Sequence, residues 1–134
     1  GNERIRTLPV WELDFGKLAE TGEPIATERV KHSLDYQKKH EIDARRAENL
    51  DPVVARALER TTRRVYRMLE LDGYARVDYR LTAKNEIYLL EANPNPEIAE
   101  KEEFASAALA AGLSYRELLQ RVVSLALARP VRPE

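Results

Sequence analysis

Four side chains near the middle of the chain carry groups that could act together: Arg76, Asp78, Glu91 and Asn93. Two carboxylates and an amide oxygen suit a hard cation. Mg²⁺ takes oxygen ligands, keeps several waters and is usually held by one or two carboxylates plus substrate phosphates. A guanidinium beside them can grip a phosphate, or neutralise charge that develops as one is transferred. The competing reading is plainer: a cross-strand ion pair, Arg76–Glu91, on a wet sheet face.

The stretch that must position these groups runs from Gly73 to Pro96. It reads as two strands and a short polar turn. Ala75, Val77, Tyr79 and Leu81 alternate with Tyr74, Arg76, Asp78 and Arg80, the period of a half-buried strand. The run Ile87-Tyr88-Leu89-Leu90 is apolar on both sides, as in a strand covered on both faces. Thr82 to Asn85 supplies the turn, without an Asn-Gly signature. With Leu81 opposite Glu86, Arg76 faces Glu91 and Asp78 faces Leu89. Directly opposed residues point the same way. Arg76, Asp78 and Glu91 then share one face, with Asn93 two residues along. Val77, Tyr79, Tyr88 and Leu90 share the other. A slip of one residue would send Glu91 to the opposite side from Asp78.

At these residues the chain resembles a family. The runs R-V-D-Y-R-L, L-L-E-A-N-P-N-P and A-A-x-x-A-G-L-S-Y-x-E-L-L are similar to the C-terminal part of ATP-grasp enzymes, nearest to D-alanine–D-alanine ligases and their cousins. The resemblance extends in order and spacing from about the start of the chain to Leu127 and is strongest from Gly73 to Leu119. It implies an α+β fold, an antiparallel sheet with helices packed on one face. It implies that Asp78, Glu91 and Asn93 are ligands of Mg²⁺ (or Mn²⁺) bridging the phosphates of ATP. Arg76 corresponds to the arginine that stabilises the acyl phosphate and the transferring phosphoryl group, and Lys31 to a lysine reaching the phosphates. Such enzymes phosphorylate a carboxylate with ATP, then let an amine displace the phosphate. A surface lysine is the competing reading of Lys31.

The resemblance also implies that residues 1–134 form the C-terminal portion of an ATP-grasp domain, with the N-terminal and lid domains of the same enzyme lying elsewhere. Gly1-Asn2-Glu3 reads as the middle of a longer chain, and the isolated portion is expected to be inactive. Partners implied are ATP and small carboxylate and amine substrates; a homodimer is compatible with the family. One departure bears on the substrate. D-alanine ligases follow the asparagine with a stretch rich in Gly, Met, Thr and Ser. Here it is Pro94-Asn95-Pro96-Glu97-Ile98-Ala99-Glu100-Lys101, so the pattern expected for D-alanine as substrate is not met.

Composition narrows the classes. The 134 residues suffice for one domain, with a 43% hydrophobic and 34% charged make-up typical of globular chains. The formal net charge of −1 argues against a nucleic-acid binder, despite arginines at 56, 60, 63, 64 and 67. There is no cysteine, which excludes thiolate catalysis and zinc–thiolate sites and fits a cytoplasmic protein. No apolar run approaches a membrane span, and His32 and His40 lack zinc-ligand spacing.

Along the chain, Leu8 to Leu13 reads as a strand with Pro9 at its start, and Ile25 to His32 as a short strand carrying Lys31. Glu41 to Asn49 reads as an exposed charged loop. Asp51-Pro52 opens a helix as cap and first residue. Its apolar stripe is Val54, Leu58, Thr61 or Thr62, Val65, Met68 and Leu69, and Gly73 ends it. Its arginines read as solvated and paired with Glu59 and Glu70. After the acid-rich Glu97 to Glu103, a helix packs through Phe104, Ala108 and Ala111 or Leu109 and stops at Gly112. Ser114 and Glu117 form a capping box for the last helix, with Leu118, Val122 and Leu125 on its apolar face. The functional reading is the ATP- and Mg-binding portion of an ATP-dependent carboxylate–amine ligase. The alternative is a non-catalytic ATP-grasp-fold module or structural fragment, which need not retain oxygen ligands on one face.

Overall fold

The computed structural model describes residues 4–21, 25, 27, 29–30 and 33–129. The chain divides into two compact units, residues 10–47 and residues 1–9 with 48–134. The class is α+β. Among the described residues the antiparallel sheet comes as two separate two-stranded pieces, one in each unit.

In the smaller unit, β1 (Trp11–Asp14) pairs antiparallel with β2 (Asp43–Arg46), Glu12 opposite Arg45. The first strand thus starts two residues beyond Pro9, which has no N–H to donate to a ladder. Strand β2 corrects the expected loop at 41–49. All four of its residues are exposed, so no apolar alternation marks it. Charge marks it instead: Arg45 pairs with Glu12 at 3.1 Å and Asp14 at 2.6 Å. Between the strands lie α1 (Leu18–Thr21) and α2 (Leu34–His40). Ser33 caps α2 by accepting from the Tyr36 N–H. The expected strand at 25–32 is also corrected, since Arg29 and Val30 have helical backbone. The Thr27 hydroxyl accepts from the Val30 N–H, a local side-chain bond that favours a helical start over a ladder. Lys31 and His32 lie outside the described residues.

The larger unit contains α3 (Pro52–Met68), the hairpin of β3 (Arg76–Leu81) and β4 (Ile87–Asn93), α4 (Glu103–Ala110) and α5 (Tyr115–Leu127). Asp51 caps α3 through the Val53 N–H at 2.6 Å. The helix ends earlier than Gly73. Glu70 takes the left-handed conformation at φ 51°, Glu70 N–H donates to Arg67 and Leu71 N–H to Tyr66, which is a Schellman closure. The stripe is corrected at its end. Tyr66 is buried with Val54 and Leu58, while Met68 is 69% exposed and Leu69 54%. The Tyr66 hydroxyl can be buried because it donates to the Gly73 carbonyl. Of the arginines on this helix, Arg63 pairs with Glu59 at 2.6 Å.

Helix α4 buries Ala105, Ala107 and Ala108, while Leu109 points outward. Small side chains let it approach Leu113 and Leu118 closely, with Leu8, Phe104, Tyr115 and Val122 around them. Gly112, at φ 82°, closes α4 as Leu113 N–H donates to Ala108. Ser114 and Glu117 then form the full capping box of α5.

Candidate active site on the β3–β4 face

The hairpin decides the site, and its register differs from the expected one in two steps. Leu81 pairs with Ile87, Arg80 with Tyr88 and Tyr79 with Leu89, one residue along from a pairing of Leu81 with Glu86. The turn explains this step. Asn85 is left-handed at φ 62°, and Thr82 N–H donates to the Glu86 carbonyl. The Thr82 hydroxyl also accepts from the Lys84 and Glu86 N–H groups, so the loop closes on Thr82 and Glu86 stays outside β4.

The second step is a β-bulge. Asp78 pairs with Glu91, Val77 with Ala92 and Arg76 with Asn93. Leu90 is the extra residue, opposite nothing. A bulge consumes one residue and restores the parity that the first step removed. Arg76, Asp78, Glu91 and Asn93 therefore lie on one face as two directly opposed pairs. The opposite face is corrected: Tyr88 joins the polar side, and Val77, Tyr79 and Leu81 share theirs with Ala92, Leu89 and Ile87. That second face is the one held to α3, where the Tyr79 hydroxyl lies 3.0 Å from that of Thr62. Strand β4 is not covered on both faces, since Tyr88, Leu89 and Leu90 are exposed in a two-stranded sheet.

Arg76 does not pair with Glu91. Its Nε and Nη2 donate to the two oxygens of Asp78 at 2.8 and 3.0 Å, and its Nη1 faces Glu103 at 3.4 Å. Burial lowers the pKa of this guanidinium. The hydrogen bond to Asp78 and the charges of Asp78, Glu103 and Glu91 more than offset that, so it sits above the ordinary arginine value. Glu91 is exposed and makes no ion pair among the described residues. The plain Arg76–Glu91 ion pair is thus set aside. Two carboxylates face each other instead, an arrangement that destabilises a sheet unless a cation sits nearby.

Asn93 is positioned by its own loop. Its side-chain oxygen accepts from the Asn95 N–H at 2.9 Å, and the Tyr74 hydroxyl donates to Asn95 at 2.8 Å. Tyr74 in turn meets Phe104 edge-on at 5.6 Å between ring centres, which ties the loop to α4. One lone pair of the Asn93 oxygen remains for another donor or a cation. No cluster of three or more His, Cys, Asp or Glu side chains able to hold a metal occurs among the described residues. The set is two carboxylates and an amide. Glu103, in the first turn of α4, is the residue that sequence reasoning missed. Its only signal was its place at the end of the acid-rich run.

No helix among the described residues is long and apolar enough to cross a membrane. Residues 8–124 match the family described as D-ala D-ala ligase C-terminus. A D-alanine–D-alanine ligase of Syntrophobacter fumaroxidans is 31% identical over 131 residues, which is 95% of this chain and 38% of that protein. The vancomycin C-type resistance protein VanC2 of Enterococcus casseliflavus is 42% identical over 62 residues, 46% of this chain and 18% of its own length. An uncharacterized protein, y4sG of Sinorhizobium fredii, is 27% identical over 126 residues, 94% of this chain and 35% of its own. The chain therefore spans well under half the length of these relatives. With its α+β fold and the family match across most of its length, the chain belongs to the D-alanine–D-alanine ligase C-terminal family, of the ATP-grasp type.

Proposed function

We propose that this chain is the ATP- and Mg²⁺-handling portion of an ATP-dependent carboxylate–amine ligase that works through an acyl phosphate. The observation that carries the reading is the register of β3 and β4, which sets Asp78 opposite Glu91 and Arg76 opposite Asn93 on one face. The donor set fits the metal. Asp78, Glu91 and Asn93 offer hard oxygens, two of them charged, and Mg²⁺ takes its remaining ligands from water and phosphate. When bound, the metal neutralises phosphate charge as the γ-phosphoryl group moves.

The chain's own residues position and neutralise. Arg76 reaches the transferring phosphoryl group, then the acyl phosphate. Lys31 adds a second positive charge on the phosphates. A substrate carboxylate oxygen attacks the γ-phosphorus and ADP leaves. The amine of the second substrate attacks the acyl carbon, phosphate leaves, and the amine loses a proton. The substrates are a small carboxylic acid and an amine, and the departure after Asn93 keeps D-alanine out of the assignment. The N-terminal and lid domains of the same enzyme complete the nucleotide site, and the setting is the cytoplasm.

The test is a calorimetric titration of Mg-ATP into the full-length protein and its Asp78→Asn/Glu91→Gln variant. Binding to the first and none to the second is expected. Equal affinity in both would overturn the metal assignment. A phosphate-release screen of the full-length polypeptide against amino acids and small carboxylates then identifies the substrates, and release that needs no carboxylate would contradict ligase chemistry.

A further inference from the structure

Both oxygens of Asp78 are occupied by one guanidinium, through the 2.8 and 3.0 Å bonds from Arg76. A divalent cation on Asp78 competes with that fork for the carboxylate, and the two positive charges repel, so the cation favours release of the guanidinium. The displaced group needs a counter-charge, because Arg76 is half-buried at the start of β3. One carboxylate stands ready on the third nitrogen: Glu103 Oε2, 3.4 Å from Nη1. That separation is long for a charge-assisted hydrogen bond, so in this arrangement Glu103 is a partner not yet fully engaged. Glu103 belongs to α4, a different element from the strand that carries Asp78. It can keep its place while Asp78 turns.

We propose that Glu103 is a positioning residue that receives Arg76 when a divalent cation takes Asp78, so that the guanidinium stays at the β3–β4 face. This inference rests on the proposed function, because it needs Asp78 to bind metal. The guanidinium stands in for the cation on Asp78 in its absence. Metal binding and release of Arg76 to Glu103 are then one event. The arginine is delivered to the place where a phosphoryl group is handled only when the metal is there to share its charge.

The test is Mn²⁺ alone, titrated into the protein and followed by electron paramagnetic resonance, with circular dichroism confirming that each variant is folded. Arg76→Lys keeps the charge but loses the fork, and should bind Mn²⁺ about tenfold more tightly, the scale of one charge-assisted hydrogen bond removed from the competing state. Glu103→Gln should bind it several-fold more weakly while Arg76 is present. In the Arg76→Gln background, Glu103→Gln should change nothing. That non-additivity separates positioning from simple attraction between Glu103 and the cation, whose loss would weaken binding in both backgrounds. Binding that depends on Asp78 but ignores Arg76→Lys, or additive effects of the Glu103 change, would overturn this inference and leave the proposed function standing. Asp78→Asn with unchanged Mn²⁺ affinity, or no binding by the parent protein, would overturn both.

Discussion

The two facing carboxylates should respond oppositely when each is neutralised in the metal-free protein. Asp78 holds the guanidinium of Arg76 through two charge-assisted bonds, and the two side chains are 32% and 33% exposed. Charged hydrogen bonds contribute about 1.5–3 kcal/mol when shielded and well under 1 kcal/mol when fully wet, so this fork is worth about 1–2 kcal/mol. Asp78→Asn removes one formal charge, leaves Arg76 with Glu103 at 3.4 Å and the charge of Glu91, and should lower Tm by roughly 4–8 °C in a chain of this size.

Glu91 is exposed and opposite Asp78, with no ion pair of its own among the described residues. Opposed side chains on a strand pair sit about 5 Å apart, where two like charges in a wet setting repel by about 1 kcal/mol. Glu91→Gln relieves that repulsion and the weaker one with Glu103, and loses an attraction to Arg76. The net change should lie between zero and about 0.5 kcal/mol of stabilisation. The measurement is differential scanning calorimetry of both variants in metal-free buffer, then with millimolar MgCl₂. Only the parent should gain Tm from the metal. A Glu91→Gln variant as destabilised as Asp78→Asn would refute the reasoning, because Glu91 would then be a structural ion-pair partner and not a ligand held in reserve.

Three further outcomes are expected. Ser114→Ala should lower Tm by a few degrees at neutral pH, since the Ser114 hydroxyl and N–H both donate to Glu117 at 2.7 Å. Those bonds hold the Glu117 carboxyl below its ordinary value of 4.5. That contribution is present above this value and lost as pH falls through the folded value, so the gap between parent and variant should narrow in acid thermal melts to what the Glu117 N–H bond to the Ser114 hydroxyl leaves. Gly16→Ala should destabilise the smaller unit by about 2 kcal/mol or more, because its Cβ would collide with the backbone carbonyls of His40 and Glu41 and the site is left-handed. Gly112→Ala has open space and should cost only about 1 kcal/mol, from its left-handed φ; comparable losses in chemical denaturation would contradict that distinction. Deleting Leu90 removes a residue opposite nothing on β3, so NMR contacts between Asp78 and Glu91 backbones should persist; their loss would mean the bulge itself sets the register.

What could be read from the sequence was whatever a few adjacent residues decide between them. Asp51-Pro52, the Ser114/Glu117 box and Gly112 all sit where their local hydrogen bonds require, because a cap is satisfied within one turn. Tyr66 displaced Met68 from the core because a distant carbonyl, that of Gly73, satisfied its hydroxyl. Strand β2 was invisible because pairing with Glu12 and Asp14, and not apolar burial, holds its Arg45. Glu103 was invisible as a partner of Arg76 because α4 brings it there from 27 residues away.

The β3–β4 face shows why a wrong register can still give the right set of neighbours. Tyr88, Leu89 and Leu90 are similar in hydropathy, so nothing local says which of them is left unpaired. The turn at Thr82 moved the ladder by one residue, and the bulge at Leu90 moved it by one more. Side chains alternate with a period of two, so two shifts of one residue return every side chain beyond the bulge to its original side. Glu91 thus stays with Asp78 while Tyr88, before the bulge, changes face. The cost of the bulge is local: β4 carries an unpaired and 66% exposed Leu90 between the ladder set by the turn and the one that carries Glu91. Neither the bulge nor the facing of two like charges stabilises the hairpin by itself, which is why the pair supports the proposed site.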